Sequence, residues 1–145
     1  MDFKLFLKEL SLMEHPIALG GCRAQKIHYD CCDYNIVIFD NTNNPDSVVQ
    51  IDNGFVRLHH ANLNESRIEI LNKYDNLEII SDPKWELKIF LSKINEKKSL
   101  VSQAYSRKCI VESQVCLVKA KNDLDISDPF ASCWVKCAAY FLIDA

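Results

Sequence analysis

The chain has 145 residues, of which 48% are hydrophobic, and its formal net charge is −3 at pH 7. That length accommodates one globular core, or a core with a helical appendage, and would crowd two full domains. The small negative charge excludes a protein that coats nucleic acid over its whole surface, so a basic site must be local. Charged residues interrupt the apolar ones throughout the first 13 positions, which excludes a signal peptide or a membrane span there. We therefore expect a cytoplasmic protein that has no membrane partner.

Seven cysteines could suggest a disulfide framework, but their number is odd and most of them lie in apolar runs. We interpret them as reduced thiols. Cys31 and Cys32 are adjacent, whereas Cys133 and Cys137 lie four residues apart, and neither arrangement is the repeated CxxC of a structural zinc site. The second pair is interpreted as small buried hydrophobic residues on a helix.

The first 40 residues predict a helix followed by two strands. Apolar residues recur at steps of three and four near the N-terminus, which predicts one face of a helix that stops near His15, because Pro16 follows. These residues are Phe3, Phe6, Leu7, Leu10 and Met13. The apolar run 17–19 predicts a short buried strand leading into Gly20 and Gly21. The β-branched run 34–39 predicts a central strand covered on both faces.

The next segment predicts a hairpin and further alternation of helix and strand. Residues 41–46 favour turns and predict a loop. Runs 48–51 and 55–58 flank Asp52-Asn53-Gly54, and an Asn-Gly pair between two such runs is typical of an antiparallel hairpin. A helix is predicted over 65–74 with Asn64 as its cap, and a strand over 77–80. Asp82 is predicted to cap another helix that has Pro83 at its first position.

The remaining residues predict an α-hairpin. The pattern is wholly helical over 98–121 without Gly or Pro, and a second helix follows Asp128-Pro129 and runs to the end. The predicted organisation is a domain over 1–96 and a helical hairpin over 97–145. Residues 138–145 are apolar and carry no stop signal, which is what the start of a truncated helical domain in a longer protein would show.

The most informative stretch joins the two predicted strands. Leu19-Gly20-Gly21-Cys22-Arg23-Ala24 is followed, after seven residues, by Cys32-Asp33-Tyr34-Asn35. This resembles the signature of the DNA polymerase β-like nucleotidyltransferase superfamily, in which a strand ends in Gly-Ser-Arg-Ala and Ser-Asp-x-Asp opens the next strand. Gly21, Arg23, Ala24 and Asp33 match, whereas Cys22 and Cys32 replace the two serines and Asn35 replaces the second aspartate. The order of helix, strand, loop and strand extends the resemblance over roughly the first 90 residues.

The chemistry of such a motif follows from its residue types. A glycine after a strand lets backbone amides approach phosphate oxygens closely. Two carboxylates at alternate positions of a strand point to one face, where they can hold two magnesium ions that polarise the α-phosphate and activate a hydroxyl.

The resemblance implies an α/β (α+β) fold with a mixed sheet flanked by helices and followed by the hairpin. It also implies Mg²⁺ as cofactor, and transfer of a nucleoside monophosphate from a nucleoside triphosphate to an unidentified hydroxyl acceptor. Asp33 and Asn35 would be the catalytic residues and the metal ligands. The nucleotide-binding residues would be Gly20, Gly21, Cys22, Arg23 and Arg57.

The chain departs from this pattern in its acids. Asn35 can coordinate a cation but carries no charge, and the third carboxylate of the pattern should come from the strand that contains Arg57, His59 and His60. That strand contains no acid. The remaining acidic candidates are Asp52, Glu69, Glu78 and Asp82. Cationic side chains can neutralise phosphate where a metal otherwise would, so binding can survive a loss of catalysis. The two histidines are expected on opposite faces and do not predict a shared metal.

Three functions remain open. The first is an active transferase, and the second is a degenerate nucleotide-binding or regulatory module that uses Gly21, Arg23 and Arg57 without chemistry. The third is an interaction protein whose hairpin pairs with a helical partner or a second copy, which predicts that Trp134, Val135, Tyr140 and Phe141 are exposed.

Several of these features also have simpler structural interpretations. Asp33 could merely begin a strand, and Arg23 could pair with Asp30 or Asp40. His28 and Tyr29 could read a nucleotide or be solvated loop residues. A set of basic residues with Tyr105 could contact a polynucleotide or form a solvated helix face. That set is Lys97, Lys98, Arg107, Lys108, Lys119 and Lys121.

Overall fold

A computed structural model describes residues 3–9, 12–42, 44–51 and 54–145 of the chain. The described residues form two compact units. One comprises those up to Ser66 together with Lys73–Glu96, and the other comprises Arg67–Asn72 and Lys97–Ala145. The fold is α+β, with a mixed sheet flanked by helices and with a C-terminal α-hairpin, which confirms the predicted fold class.

The first unit is built on a five-stranded sheet among the described residues, in the order β3-β4-β2-β1-β5. The strands are β1 Ile17–Gly20, β2 Tyr34–Ile38, β3 Ser47–Ile51, β4 Gly54–His60 and β5 Glu78–Ser81. β1 is antiparallel to both β2 and β5, and β3 is antiparallel to β4, whereas β2 and β4 are parallel. The predicted central position of β2 and the predicted hairpin are confirmed. The hairpin residues Asp52 and Asn53 lie outside the described residues, as does Asn43 of the predicted loop.

One face of the sheet carries the hydrophobic core. Ile36 and Ile38 of β2 and Val56 of β4 are fully buried, and they pack with Leu7 of helix α1, Phe3–Glu9. Because successive side chains of a strand point to opposite faces, the alternate residues of β2 and β4 lie on the other face. The core therefore determines which residues of the two strands are left to form a site.

A second cluster consists of three aromatic rings. Phe39, Tyr74 and Phe90 pack with ring centroids 5.5 to 5.9 Å apart in tilted and edge-on arrangements. Phe90 belongs to helix α4, Glu86–Glu96, and Tyr74 to the 3₁₀ turn Asn72–Tyr74. These contacts anchor α4 to the end of β2.

One predicted helix boundary and one predicted loop near the N-terminus differ from the structure. α1 ends at Glu9, whereas the sequence placed its end near His15. Met13 lies in a turn and packs against the core from there, and Leu10 lies outside the described residues. The predicted polar loop after Gly20 contains one helical turn, α2, over Gly21–Ala24.

The helix predicted over 65–74 is shorter than expected. It consists of α3, Ile68–Leu71, followed by the 3₁₀ turn Asn72–Tyr74. Asn64 is not its cap, because the N-cap position is occupied by Arg67. The backbone amide of Asn64 donates to Asn62 Oδ1 at 2.7 Å and closes a turn ahead of the helix. Local turn formation thus delays the start of the helix by three residues.

Asp82 caps α4 as predicted, but by a longer reach. Its carboxylate accepts hydrogen bonds from the amides of Leu87 at 3.3 Å and Lys88 at 2.9 Å. α4 begins at Glu86, so Pro83 precedes the helix and is not its first residue. The intervening Trp85 has a positive φ of 63°, which turns the chain into the helix.

The second unit consists of α3, α5 over Lys98–Asp125 and α6 over Ala131–Asp144. α5 and α6 pack together as the predicted hairpin. Of the four apolar residues expected to be exposed, Val135 and Tyr140 are 49% and 69% exposed, whereas Trp134 and Phe141 are half-buried. No helix in the described ranges combines the length and the apolar character needed to cross a membrane.

The six basic residues named with Tyr105 in the sequence analysis are solvent-exposed, but not all of them face solvent alone. The Lys119 ammonium lies 4.3 Å from the ring centroid of Trp134. Burial raises the pKa of Tyr105, and its hydrogen bonds with Cys109 and Asp144 act in the same direction. Tyr105 is half-buried and is therefore not a fully solvated residue of the helix face.

Ser113 is the one buried polar side chain in the described core, with 0% exposure. Its hydroxyl oxygen has no hydrogen-bond partner among the described residues. A buried hydroxyl without a partner opposes folding by the cost of its lost hydration. We expect Ser113→Ala to raise the free energy of unfolding by roughly 1 kcal/mol in urea titrations.

Ser102→Ala is the matched control, because Ser102 is an exposed residue of the same helix. Both changes gain helix propensity, so the difference between them isolates the buried hydroxyl. Equal effects of the two substitutions would contradict the prediction.

Candidate functional site

The sheet brings most of the predicted site residues to one end of three neighbouring strands. Gly20, the last residue of β1, pairs with Asn35 of β2. Asn35 in turn pairs with Arg57 of the parallel strand β4. The glycine turn, Asn35 and Arg57 are therefore side by side across the sheet, on the face that the core does not use.

Gly21 is required by its conformation and by its contact with Asn35. Its φ is +72°, in the left-handed region that side chains other than glycine rarely adopt. A Cβ atom there would lie 2.9 Å from Asn35 Nδ2. Gly20 has an extended φ of −119°, so its backbone alone would tolerate a side chain. The turn brings the backbone of Gly21 close to the side-chain amide of Asn35.

Asp33 and Arg57 form an ion pair at the same end of the sheet. Arg57 Nε donates to Asp33 Oδ2 at 3.2 Å, and the two side chains are 55% and 34% exposed. An ion pair with this much solvent contributes little to stability, so it can exchange for another partner at small cost. The carboxylate expected to be the principal metal ligand thus faces a guanidinium.

Arg23 holds the loop that precedes β2. Its Nε donates to the carbonyl of Cys32 at 2.8 Å, and its Nη2 donates to the carbonyl of Asp30 at 3.3 Å. The guanidinium carbon lies 3.8 Å from the ring centroid of Tyr34. The structure therefore pairs Arg23 with the backbone of Asp30, and the nucleotide-binding role of Arg23 stays a prediction.

The cysteines that replace the two motif serines, Cys22 and Cys32, have pKa values shifted in opposite directions. Hydrogen bonding to Cys32, followed by burial, raises the pKa of Cys22. The pKa of Cys32 is lowered, first by a hydrogen bond from the amide of Tyr29, 3.4 Å from the sulfur, and then by the Cys22 thiol. The motif loop residues His28 and Tyr29 are themselves exposed.

A carboxylate that the sequence reasoning missed, Asp46, pairs with His59. His59 Nδ1 lies 2.8 Å from Asp46 Oδ2, and His59 Nε2 lies 3.5 Å from Asn35 Oδ1. The hairpin register pairs Ser47 with Leu58. One position further from the turn, Asp46 therefore lies opposite His59. Counting back from the predicted hairpin turn would have found this pair.

Several of these residues line a cleft of about 330 Å³ in the first unit, and the Asp33–Arg57 ion pair lies outside its lining. Its polar lining is formed by Gly20, Gly21, Asn35, Asp46, His59, His60 and Lys73, and its apolar lining by Val37, Ala61, Tyr74 and Leu77. This volume is at the lower end of the range for small-molecule sites, and a few polar groups on an apolar lining are typical of them.

The carboxylates named as candidates for the third acid lie elsewhere or have other roles. Asp82 caps α4, Glu78 is exposed on β5, and Glu69 belongs to α3 of the second unit. Asp52 lies outside the described residues. In the described part of the chain, no group of three or more His, Cys, Asp and Glu side chains is arranged to hold a metal ion.

His60, which also lines the cleft, contacts a different carboxylate from His59. Its Nδ1 lies 2.7 Å from Asp40 Oδ2, and the Thr42 hydroxyl donates to Asp40 Oδ1 at 2.9 Å. Burial would raise the pKa of Asp40, but the hydrogen bonds from the Thr42 amide and from His60 outweigh it and lower that pKa. This cluster fastens the end of β2 to the end of β4.

Comparison with protein-family models gives no match, and comparison with curated proteins gives none either.

We expect Gly21→Ala to lower the free energy of unfolding by about 1 to 2 kcal/mol, because alanine is strained in the left-handed region, and its Cβ would also press on Asn35. Gly20→Ala is the control, since its backbone is extended and the nearest atom, Leu77 Cδ2 at 3.1 Å, ends a flexible side chain. Urea unfolding of both variants measures the difference. Equal destabilisation would show that the left-handed turn is not the constraint.

We expect Asp40→Asn to destabilise the protein by about 1 to 2 kcal/mol at pH 7, because the Asp40 side chain is only 10% exposed and its charge is hydrogen-bonded. A carboxyl group whose pKa is lower in the folded state stabilises the folded protein at pH values above its unfolded-state pKa of about 3.9. That stabilisation is lost as the pH falls through the folded-state pKa. The difference between wild type and variant should therefore be full at pH 7 and shrink below pH 4.

Urea titrations across this pH range test the prediction, with Asp30→Asn, an exposed carboxyl in the same unit, as control. A difference from wild type that persists unchanged at acid pH would contradict the assignment.

Proposed function

We propose that the cleft of the first unit binds a nucleoside triphosphate through the glycine turn and cationic side chains, and that the chain is a nucleotide-binding or regulatory module without two-metal transfer chemistry. The observation that carries this proposal is Arg57. It lies directly opposite Asn35 on β4, where the motif resemblance implies a third carboxylate, and it pairs with Asp33.

The charges at the site suit a phosphate chain. Guanidinium and ammonium groups form strong charge-assisted hydrogen bonds with phosphate oxygens. Lys73 provides an ammonium group in the lining of the cleft, and Arg57 provides a guanidinium group at the β4 position that pairs with Asn35 of the lining. His59 adds a third cation when it is protonated. Backbone amides at the Gly20-Gly21 turn can approach phosphate closely because no Cβ blocks them.

The described ligands fit a two-magnesium centre poorly. Mg²⁺ requires octahedral oxygen coordination, and two-metal sites hold their ions with several carboxylates. Here the motif provides one carboxylate, Asp33, which is engaged by Arg57, and one neutral amide, Asn35, which is held between Gly21 and His59. The alternative function, transfer of a nucleoside monophosphate to a hydroxyl acceptor, would require Asp33 to leave Arg57 and hold Mg²⁺ together with Asn35.

A cytoplasmic location belongs to the same proposal. The seven cysteines include no disulfide between described residues, and reduced thiols are the norm in that compartment.

Calorimetric titration of ATP, CTP, GTP and UTP, each with magnesium and again with chelator, tests the proposal. We expect at least one triphosphate to bind with an affinity that chelator leaves within about threefold, because the cations are side chains. Lys73→Ala should weaken that binding about tenfold, the effect of losing one charge-assisted hydrogen bond. Lys84→Ala is the control, because Lys84 is exposed in the same unit and does not line the cleft.

Asp33→Asn separates the two functions. In a metal-independent site it should leave the affinity unchanged or raise it, since it releases Arg57 for phosphate. Binding that requires magnesium, disappears in Asp33→Asn and is accompanied by pyrophosphate release would establish the transferase instead. If no triphosphate binds, the proposal is wrong.

A further inference from the structure

The open face of the sheet continues from the cleft toward the start of β4. Phe55, Arg57 and His59 are alternate residues of that strand. Val56 and Leu58, which lie between them in the sequence, are buried in the core. Because successive side chains of a strand point to opposite faces, Phe55 and Arg57 lie on the same face as His59, which lines the cleft.

The hairpin register adds two residues of β3 to this face. Gln50 pairs with Phe55, and Val48 pairs with Arg57. Directly opposite residues of an antiparallel pair have Cβ atoms about 4.5 to 5.5 Å apart, and diagonal neighbours lie about 7 to 8 Å apart. Val48, Gln50, Phe55 and Arg57 therefore form one continuous patch, which we call the β3–β4 platform.

The platform exposes an aromatic ring and an aliphatic side chain to solvent. Phe55 is 48% exposed and Val48 is 61% exposed, and Gln50 is exposed beside them. Arg57 is 55% exposed at its side chain and donates from Nε to Asp33 at 3.2 Å. The half-exposed ring of Phe55 is therefore available for stacking, with a guanidinium between it and the cleft.

The chemistry of the platform suits a nucleobase. A base offers a flat π face that stacks on an aromatic ring, and its edges carry donors and acceptors that an amide such as Gln50 can meet. A protein partner is a poorer match, because each side of a stable protein interface contributes roughly 20 to 30 residues. Two apolar side chains beside an ion pair suit a ligand the size of one base.

We propose that the β3–β4 platform is the nucleobase subsite of the cleft, an inference that rests on the proposed triphosphate binding. The base stacks on Phe55, the phosphates lie at the glycine turn, and Arg57 lies between the two. Phe55 and His59 are four residues apart on an extended strand, a span of about 13 Å. Every base has a π face, so stacking selects nucleotides over inorganic phosphates and does not select one base over another.

Calorimetric titration of the full chain compares ATP with inorganic tripolyphosphate, which has the phosphate chain but no base. Wild type should bind ATP about tenfold more tightly than tripolyphosphate, the effect of stacking one base. Phe55→Ala should weaken ATP binding about tenfold and leave tripolyphosphate binding unchanged, whereas Phe55→Trp should retain the preference for ATP because an indole also stacks. Ile89→Ala is the control, since Ile89 is an exposed apolar residue of α4, and it should change neither affinity.

Equal affinity of wild type for ATP and tripolyphosphate, or an ATP affinity that survives Phe55→Ala, would overturn the subsite and leave the proposed phosphate binding intact. A Phe55→Ala variant that loses both ligands equally would show a structural role for the ring and would also overturn the subsite.

Proton NMR of adenosine, which lacks phosphate, tests the platform separately. The adenine protons should shift upfield over the aromatic ring in wild type and in Phe55→Trp, and this shift should disappear in Phe55→Ala. An upfield shift that is absent from wild type, or that persists in Phe55→Ala, would overturn the subsite. If neither ATP nor tripolyphosphate binds, the proposed function is wrong, while the adenosine spectra still decide whether a base stacks on Phe55.

Discussion

The parallel pairing of β2 with β4 is the constraint on which the site depends. Its register sets Asn35 beside Arg57 and Val37 beside His59, while Ile36 and Leu58 pair on the core side. A shift of β4 by one residue would turn its buried Val56 toward the cleft and Arg57 into the core. The hydrophobic core therefore constrains the site residues, because the register that buries the apolar side chains also presents the polar ones on the other face.

The polar contacts fall into two groups of different strength. At the buried end of β2 and β4, Asp40 and His60 are 10% and 15% exposed at their side chains, and their contact fastens the strands. At the open end, the Asp33–Arg57 pair is largely solvated and can be exchanged. A binding site needs this combination, with a rigid frame on one side and side chains that can change partner on the other.

How much could be predicted from the sequence depended on whether the signal was local. The strands, the hairpin and the helical C-terminal part were found because they rest on periodicity and on an Asn-Gly turn. The parallel partner of β2 leaves no local trace, so the contact between Arg57 and Asp33 could not be derived. The errors at Met13 and Asn64 arose where a turn competed with a helix for the same backbone groups. Asp46 was missed although the hairpin register, once counted outward, leads to it.

The residues that differ from the motif together preserve the net charge that would face a triphosphate. In the pattern that the motif resembles, three carboxylates with two magnesium ions leave one net positive charge. The charges of Asp33, Arg57 and Lys73 also sum to one positive charge. The Asp46–His59 pair adds no net charge when the imidazole is protonated. Replacing acids by Asn35 and Arg57 thus preserves the attraction for phosphate while it removes the ligands that position two ions. Affinity for the triphosphate depends on the net charge of the site, whereas transfer chemistry depends on the metal ions. Such a site can therefore retain triphosphate binding without catalysing transfer.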